Sequence, residues 1–168
     1  VLGIYSWLVR LRIQVDNAWW KIDVQLKGRH DLIPNLVETA KGYMKHERET
    51  FESITKARSQ AMGAGSVAES AKAEGALADA LSKFMLVVEN YPDLKANQNF
   101  LSLQEELTGT ENKIAFARQN YNDQVLFFNN KIQMFPSNII AGMFGFTKRD
   151  FFEVETAAER EVPNVSFS

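Results

Sequence analysis

Apolar and near-apolar residues recur at three- and four-residue steps along one stretch of the chain: Phe100, Leu103, Leu107, Thr110, Ile114, Ala117, Tyr121, Gln124, Phe128, Ile132 and Phe135. That repeat predicts a long helix over 97–135 that lays one face along other helices. Asn97 or Asn99 suits its N-cap, and Pro136 ends it. The same stepping predicts three more helices. A first, over 4–29, carries Leu8, Leu11, Val15, Ala18/Trp19, Ile22 and Leu26, with Lys27, Arg29 and His30 at its C-terminal end, where cations suit the helix dipole. A second follows at once, capped by Asp31 with Pro34 in its first turn. It is striped by Ile33, Val37, Ala40, Met44, Glu47, Phe51 and Ile54 and closed by Lys56 and Arg58. The join is so short that the pair either folds back as neighbours or forms one bent rod. Gly63 and Gly65 mark a loop over 62–66. A third helix, over 67–90, begins Ala-rich and continues through Leu77, Leu81, Phe84, Val88 and Tyr91.

Four amphipathic helices with short joins predict an all-α fold, an antiparallel up-and-down four-helix bundle over 4–136. Beyond Pro136 the pattern changes. Residues 137–146 are apolar, broken by Gly142 and Gly145, and lack helical spacing, so an irregular apolar tail is expected over 137–168. Within it, 153–161 is polar with weak helical character, and Pro163 opens a short end. Ile139, Ile140, Met143, Phe144, Phe146, Phe151 and Phe152 are too apolar for an ordinary surface loop. They form the candidate interaction surface, with the alternative that they cap the open end of the bundle as core.

Composition narrows the function classes. In 168 residues, 19 basic against 21 acidic side chains give a net charge of −2, without the basic excess of a nucleic-acid binder. Cys is absent, which excludes disulfides, thiol catalysis and thiolate metal sites. No stretch approaches the roughly 20 apolar residues of a membrane span. The opening residues, with Tyr5 and Trp7 ahead of Arg10 and Arg12, read either as the trailing edge of a span, over 1–12, or as an ordinary helix start.

Candidate chemistry is sparse. A di-metal bundle needs Glu-x-x-His units, but Lys27 and Tyr43 precede His30 and His46 by three. His46-Glu-Arg-Glu-Thr50 lacks the second His of a zinc-protease helix. No metal or cofactor is expected, and both histidines read as solvated or helix-end side chains. Adjacent Glu105 and Glu106 point about 100° apart on a helix and cannot converge on one substrate. Glu47 and Gln124 interrupt apolar seams, either fixing register or marking where a seam drifts to the surface. Of the adjacent Trp19 and Trp20, one ring is expected in the core and the other at its edge.

Several segments resemble the bacterial LemA family. In the first half these are Val15-Asp-Asn-Ala-Trp19, Ile22-Asp-Val-Gln-Leu26 and Arg29-His-Asp-Leu-Ile-Pro-Asn-Leu-Val-Glu-Thr39. In the second they are Tyr91-Pro-Asp-Leu-Lys-Ala-Asn97, Leu103-Gln-Glu-Glu-Leu-Thr-Gly-Thr-Glu-Asn112, Ala117-Arg-Gln-Asn-Tyr-Asn-Asp123 and Phe135-Pro-Ser-Asn-Ile-Ile-Ala-Gly-Met-Phe-Gly-Phe146. The resemblance implies a four-helix bundle and a single membrane helix preceding Val1, with the bundle in the cytoplasm. It supplies no catalytic residue. The function expected is a non-enzymatic, membrane-tethered scaffold or adaptor that binds a membrane-associated protein through its bundle and tail. The alternative is a hydrolase or transferase using carboxylates such as Asp31, Glu38, Glu105, Glu106 and Glu111.

Overall fold

A computed structural model describes residues 1–153, and among these the regular structure is all α-helix. Six helices follow one another: α1 Leu2–Lys41, α2 Arg48–Met62, α3 Val67–Val88, α4 Pro92–Lys95, α5 Gln98–Gln133 and α6 Ser137–Met143. No helix among the described residues is long and apolar enough to cross a membrane. The weakly helical stretch and short end expected after Glu153 lie outside the described residues. Two compact units emerge: Val1–Gln25 with Lys113–Phe152, and Leu26–Asn112.

The second unit draws its core from five helices. Ile33, Leu36 and Ala40 of α1, Ile54 of α2, Leu77, Phe84 and Val88 of α3, Leu94 of α4, and Phe100 and Leu107 of α5 form one apolar cluster. Asn97 Nδ2 donates to Tyr43 Oη (2.9 Å), Asn99 Nδ2 to Thr39 Oγ1 (3.2 Å), and Arg29 Nη1 to Glu111 (2.9 Å). Partner numbers rise on α5 as they fall on α1, so the two segments are antiparallel here. Asn97 caps α5, its Oδ1 accepting from Phe100 N at 2.9 Å. Ser66 caps α3 by accepting from Glu69 N, while the Glu69 carboxylate reaches back to Gly65 N.

Of the two arrangements open at the join near residue 30, the structure has the single rod as far as Lys41, with no helix end there. Asp31 lies inside α1, and Pro34 is an interior residue rather than a first-turn one. An interior proline withholds the N–H that residue 30's carbonyl would accept. Here Arg58 Nε donates to His30 O at 2.6 Å and takes that place. The chain turns instead between Gly42 and Glu47, and α2 starts at Arg48. Met44 stays buried within this turn, so the apolar stripe runs on through a backbone break.

In the first unit α1 and α5 are again antiparallel: Lys131 Nζ stands 3.9 Å over the Trp7 ring, and Trp19 packs on Tyr121. Trp19 faces inward, and Trp20 is exposed. The seam of α5 is buried at Ile114, Tyr121, Phe128 and Ile132, with Val125 taking the place expected of Gln124. It does not reach Phe135, which lies two residues past the last helical one and is 79% exposed. Nor is the next segment irregular. Residues 137–143 form α6, which buries Ser137, Ile140 and Ala141. Seven residues hold too few repeats to show a helical period in sequence.

Gly145 ends α6 with φ of 73°, the left-handed conformation glycine adopts freely. Phe146 N then bonds back to Ala141 O at 2.9 Å, a Schellman closure that turns Phe146 into the core. From there the chain continues without helix to Phe152.

Candidate functional sites: a buried charge cluster, a backbone clasp and an apolar outer face

Arg29 is 3% exposed and lies in the middle of α1. Its Nη2 donates to Glu74 Oε1 of α3 at 2.6 Å, and its Nη1 to both Glu111 oxygens of α5 at 2.9 and 3.0 Å. The other Glu74 oxygen lies 2.6 Å from His30 Nε2. One guanidinium therefore ties three helices of the second unit. Burial opposes its charge, but Glu111 and Glu74 outweigh that cost and raise the Arg29 pKa. Arg29 Nε remains buried with no hydrogen-bond partner among the described residues. Each carboxylate oxygen of this cluster has a cation or imidazole partner, so the cluster locks the helices together.

The first unit has a different polar device. Asn129 Nδ2 donates to Arg149 O (3.0 Å) while its Oδ1 accepts from Arg149 N (2.8 Å). Asn122 does the same with Phe152, donating at 3.0 Å and accepting at 2.8 Å. Seven residues of helix rise about 10 Å, and three residues of extended chain span about the same. Two asparagines a heptad apart thus match two positions three residues apart on a strap, each offering the donor and acceptor that a neighbouring strand would. Tyr121 Oη adds a bond to Asp150 O at 2.8 Å, and Arg149 Nη2 an ion pair to Asp16 of α1 at 2.7 Å. Burial raises the Tyr121 pKa.

The expected tail surface divides. Ile140, Phe146 and Phe152 are buried, Phe151 is half-buried, and Ile139, Met143 and Phe144 are exposed. Phe152 sits against Trp19 and Phe146 against Phe128, so this part of the tail is core of the first unit. Exposed large apolar side chains are unevenly spread among the described residues. Apart from Tyr43, Met62, Leu86 and Leu101, all lie in the first unit. On α1, Ile13, Trp20 and Val24 step by seven and four and make a second stripe that faces out. On α5, Phe116 and Phe127 are eleven apart and exposed.

The carboxylates weighed for catalysis are not gathered. Glu38 pairs at the surface with Lys41 (3.5 Å), Asp31, Glu105 and Glu106 are exposed, and Glu111 holds Arg29. In the second unit an apolar groove of ≈ 540 Å³, lined by Leu81, Met85, Leu86 and Leu107, has Glu89 and Glu111 on its wall. Glu89 is bound to Lys95. No group of three or more His, Asp or Glu among the described residues is placed to hold a metal ion.

Two expectations need correcting. His30 is buried on Glu74, not solvated, because α1 continues past it; His46 is exposed. Glu47 interrupts no helical seam: it precedes α2 in the turn, where its carboxylate accepts from Tyr91 Oη at 2.9 Å. Glu74, Asn122 and Asn129 were not singled out in the sequence. The signal for Glu74 was its position one turn before Leu77 and two before Leu81, on the inward face of an Ala-rich helix. For the asparagines it was their heptad spacing beside Tyr121 and Phe128.

Comparison with known proteins gives a family match, the LemA family, over residues 18–167. Protein LemA of Metamycoplasma hominis is 28% identical over 168 residues, covering 98% of this chain and 73% of that protein. Magnetosome protein MamQ 1 of Paramagnetospirillum magneticum is 29% identical over 90 residues, which is 54% of this chain. Magnetosome protein MamQ of Magnetospirillum gryphiswaldense is 26% identical over a stretch of the same length. The matched stretch spans about a third of those magnetosome proteins, 33% in each case.

Proposed function

Since this chain belongs to the LemA family, we propose that it is a non-enzymatic, membrane-tethered adaptor whose helices form an up-and-down four-helix bundle and bind a partner protein. The reading places a membrane helix before Val1 and the domain on the side of Arg10 and Arg12, in the cytoplasm, as cations flanking a span favour. The observation that carries the adaptor role is the outward stripe of Ile13, Trp20 and Val24 on α1. Single exposed apolar residues are ordinary, whereas a stripe at helical spacing matches the face another helix packs against. The occupant that fits is an amphipathic helix of the partner, laid along α1 as in helix-to-helix recognition.

Site-specific cross-linking tests this. A photoreactive residue at Trp20, in cells producing the whole protein, joins a second protein, and the adduct disappears when Ile13 and Val24 are changed to Asp. Unchanged adducts in that variant would contradict the reading, and an adduct of twice the chain's own mass would replace the partner with a second copy. Protease added to intact cells leaves the domain whole and cuts it once the membrane is opened; digestion in intact cells reverses the orientation.

A further inference from the structure

The end of the first unit where α1 starts and α5 stops has an outer surface that the adaptor role leaves unexplained. Met134 and Phe135 follow α5 or close it, Ile139 and Met143 lie on the outer side of α6, and Phe144 comes next. All five are at least half exposed, from 51% at Phe144 to 79% at Phe135. The inner side of α6 is already committed to the core through Ile140 and Ala141, so these five have no remaining interior to enter.

The charge around them is predominantly basic, with Asp16 and Asp150 at the edge of the basic stretches. Residues 1–15 and 124–149 contain Arg10, Arg12, Lys131, Lys148 and Arg149 and no Asp or Glu, in a chain of net charge −2. Contacts bring these stretches to the same place. Phe144 stacks on Tyr5 with ring centroids 4.6 Å apart, Arg12 lies 4.7 Å over the Phe146 ring, and Lys131 is 3.9 Å over the Trp7 ring. Arg149 is held by Asp16, whereas Arg10, Arg12 and Lys148 are exposed to solvent. Aromatic and aliphatic side chains at a tip, with cations and aromatic rings behind them, fit the boundary between acyl chains and anionic headgroups.

We infer that the α5–α6 turn, Met134 to Phe144, is a peripheral lipid contact: it dips into the headgroup layer of an anionic membrane while Arg10, Arg12, Lys131 and Lys148 meet the phosphates. A protein partner is the less fitting occupant, because a rim in which exposed cations outnumber carboxylates faces a uniformly negative plane better than the mixed rim of a protein interface. The inference takes from the reading above only the nearness of a membrane. It needs neither the preceding span nor the stripe on α1.

The 168-residue chain is mixed with phosphatidylcholine vesicles containing or lacking phosphatidylglycerol. It floats with the former, binds the latter weakly, and is released as salt is raised. The double substitution Phe135→Ser with Phe144→Ser weakens flotation roughly tenfold or more, by removing two inserted rings, at unchanged circular dichroism. Because the chain has no Cys, Ile139→Cys and Met143→Cys take a polarity-sensitive fluorophore independently of that variant. The labels shift to the blue and are quenched by spin-labelled lipid, whereas one at Met62→Cys in the second unit is not. No flotation, equal flotation with both vesicles, or equal shifts at positions 62 and 143 would overturn the inference. Cross-linking from Trp20 would be untouched by such a failure, so the two readings fall separately.

Discussion

In the second unit α1, α3 and α5 meet through a buried guanidinium with a carboxylate on either side, and few large apolar side chains are left outside. In the first unit α1 and α5 are held by aromatic packing and by a strap fastened to two asparagines, and the outer faces of α1, α5 and α6 carry most of the exposed large apolar side chains. The difference is one of closure. A desolvated ion cluster has a steep cost when broken and specifies one arrangement of its helices. Amide-to-backbone bonds are neutral and local, and they fix a strap without adding charge where apolar surface meets its surroundings. On this view the second unit is the rigid, self-contained part, and the first is the part built to be covered.

Breaking the two closures should have unequal consequences. Glu74→Ala leaves Arg29 with one of its two carboxylates and His30 without an acceptor, and should cost about 3–5 kcal/mol. Hydrogen exchange should rise first in 33–107, the segments that share the core of that unit. A cost under about 1 kcal/mol would mean the cluster does not lock the helices.

Asn129→Ala removes two hydrogen bonds and orphans the N–H and C=O of Arg149, for an expected loss of about 1–3 kcal/mol. Limited proteolysis near 147–152 should then quicken while the second unit keeps its protection. Uniform loosening of the chain would show that the strap is not a separate fastening.

Arg58→Met should cost about 1–2 kcal/mol, since it takes the donor from the His30 carbonyl. The cost should shrink when Pro34 is also changed to Ala, because the restored helical N–H can bond that carbonyl. Purely additive effects in chemical denaturation would show that Arg58 does not stand in for the missing N–H.

The smallest effect is alkaline. Tyr121 is raised above its ordinary value of 10.0 by burial, and Tyr91 by its bond to Glu47. A raised folded-state pKa favours the protonated form, so this contribution is whole below pH 10 and is lost as pH climbs through the raised values. The melting temperature should fall on that limb, and Tyr121→Phe should flatten the fall. A limb unaffected by that substitution would assign it elsewhere.

Helical seams were legible because burial repeats at three and four residues whatever the partner is. The same rule hid the break at Gly42–Glu47: Met44 keeps its place in the stripe although the backbone there has left the helix. Pro34 misled in the opposite sense, since the donor that makes an interior proline tolerable comes from Arg58, 28 residues away. Arg29 and His30 carried the expected signature of a helix end, and only the continuation of α1 turns them inward. The clasp had no readable code at all, because Asn122 and Asn129 bind main-chain atoms, which any sequence supplies. Of the seven tail residues weighed as a surface, composition gave the apolar character but not the division, which depends on α6 and on Gly145 turning Phe146 inward.

Hydroxyl-radical footprinting tests most directly whether the first unit is the one built to be covered, since it oxidises exposed Met, Phe and Trp side chains in place. The whole protein in native membranes is compared with the 168-residue chain in solution. Met134, Met143, Phe144 and Trp20 should be oxidised in solution and protected in membranes, while Met62 and Tyr43 of the second unit should react alike in both. Equal reactivity of Met143 and Trp20 in the two settings, or protection confined to the second unit, would contradict the account.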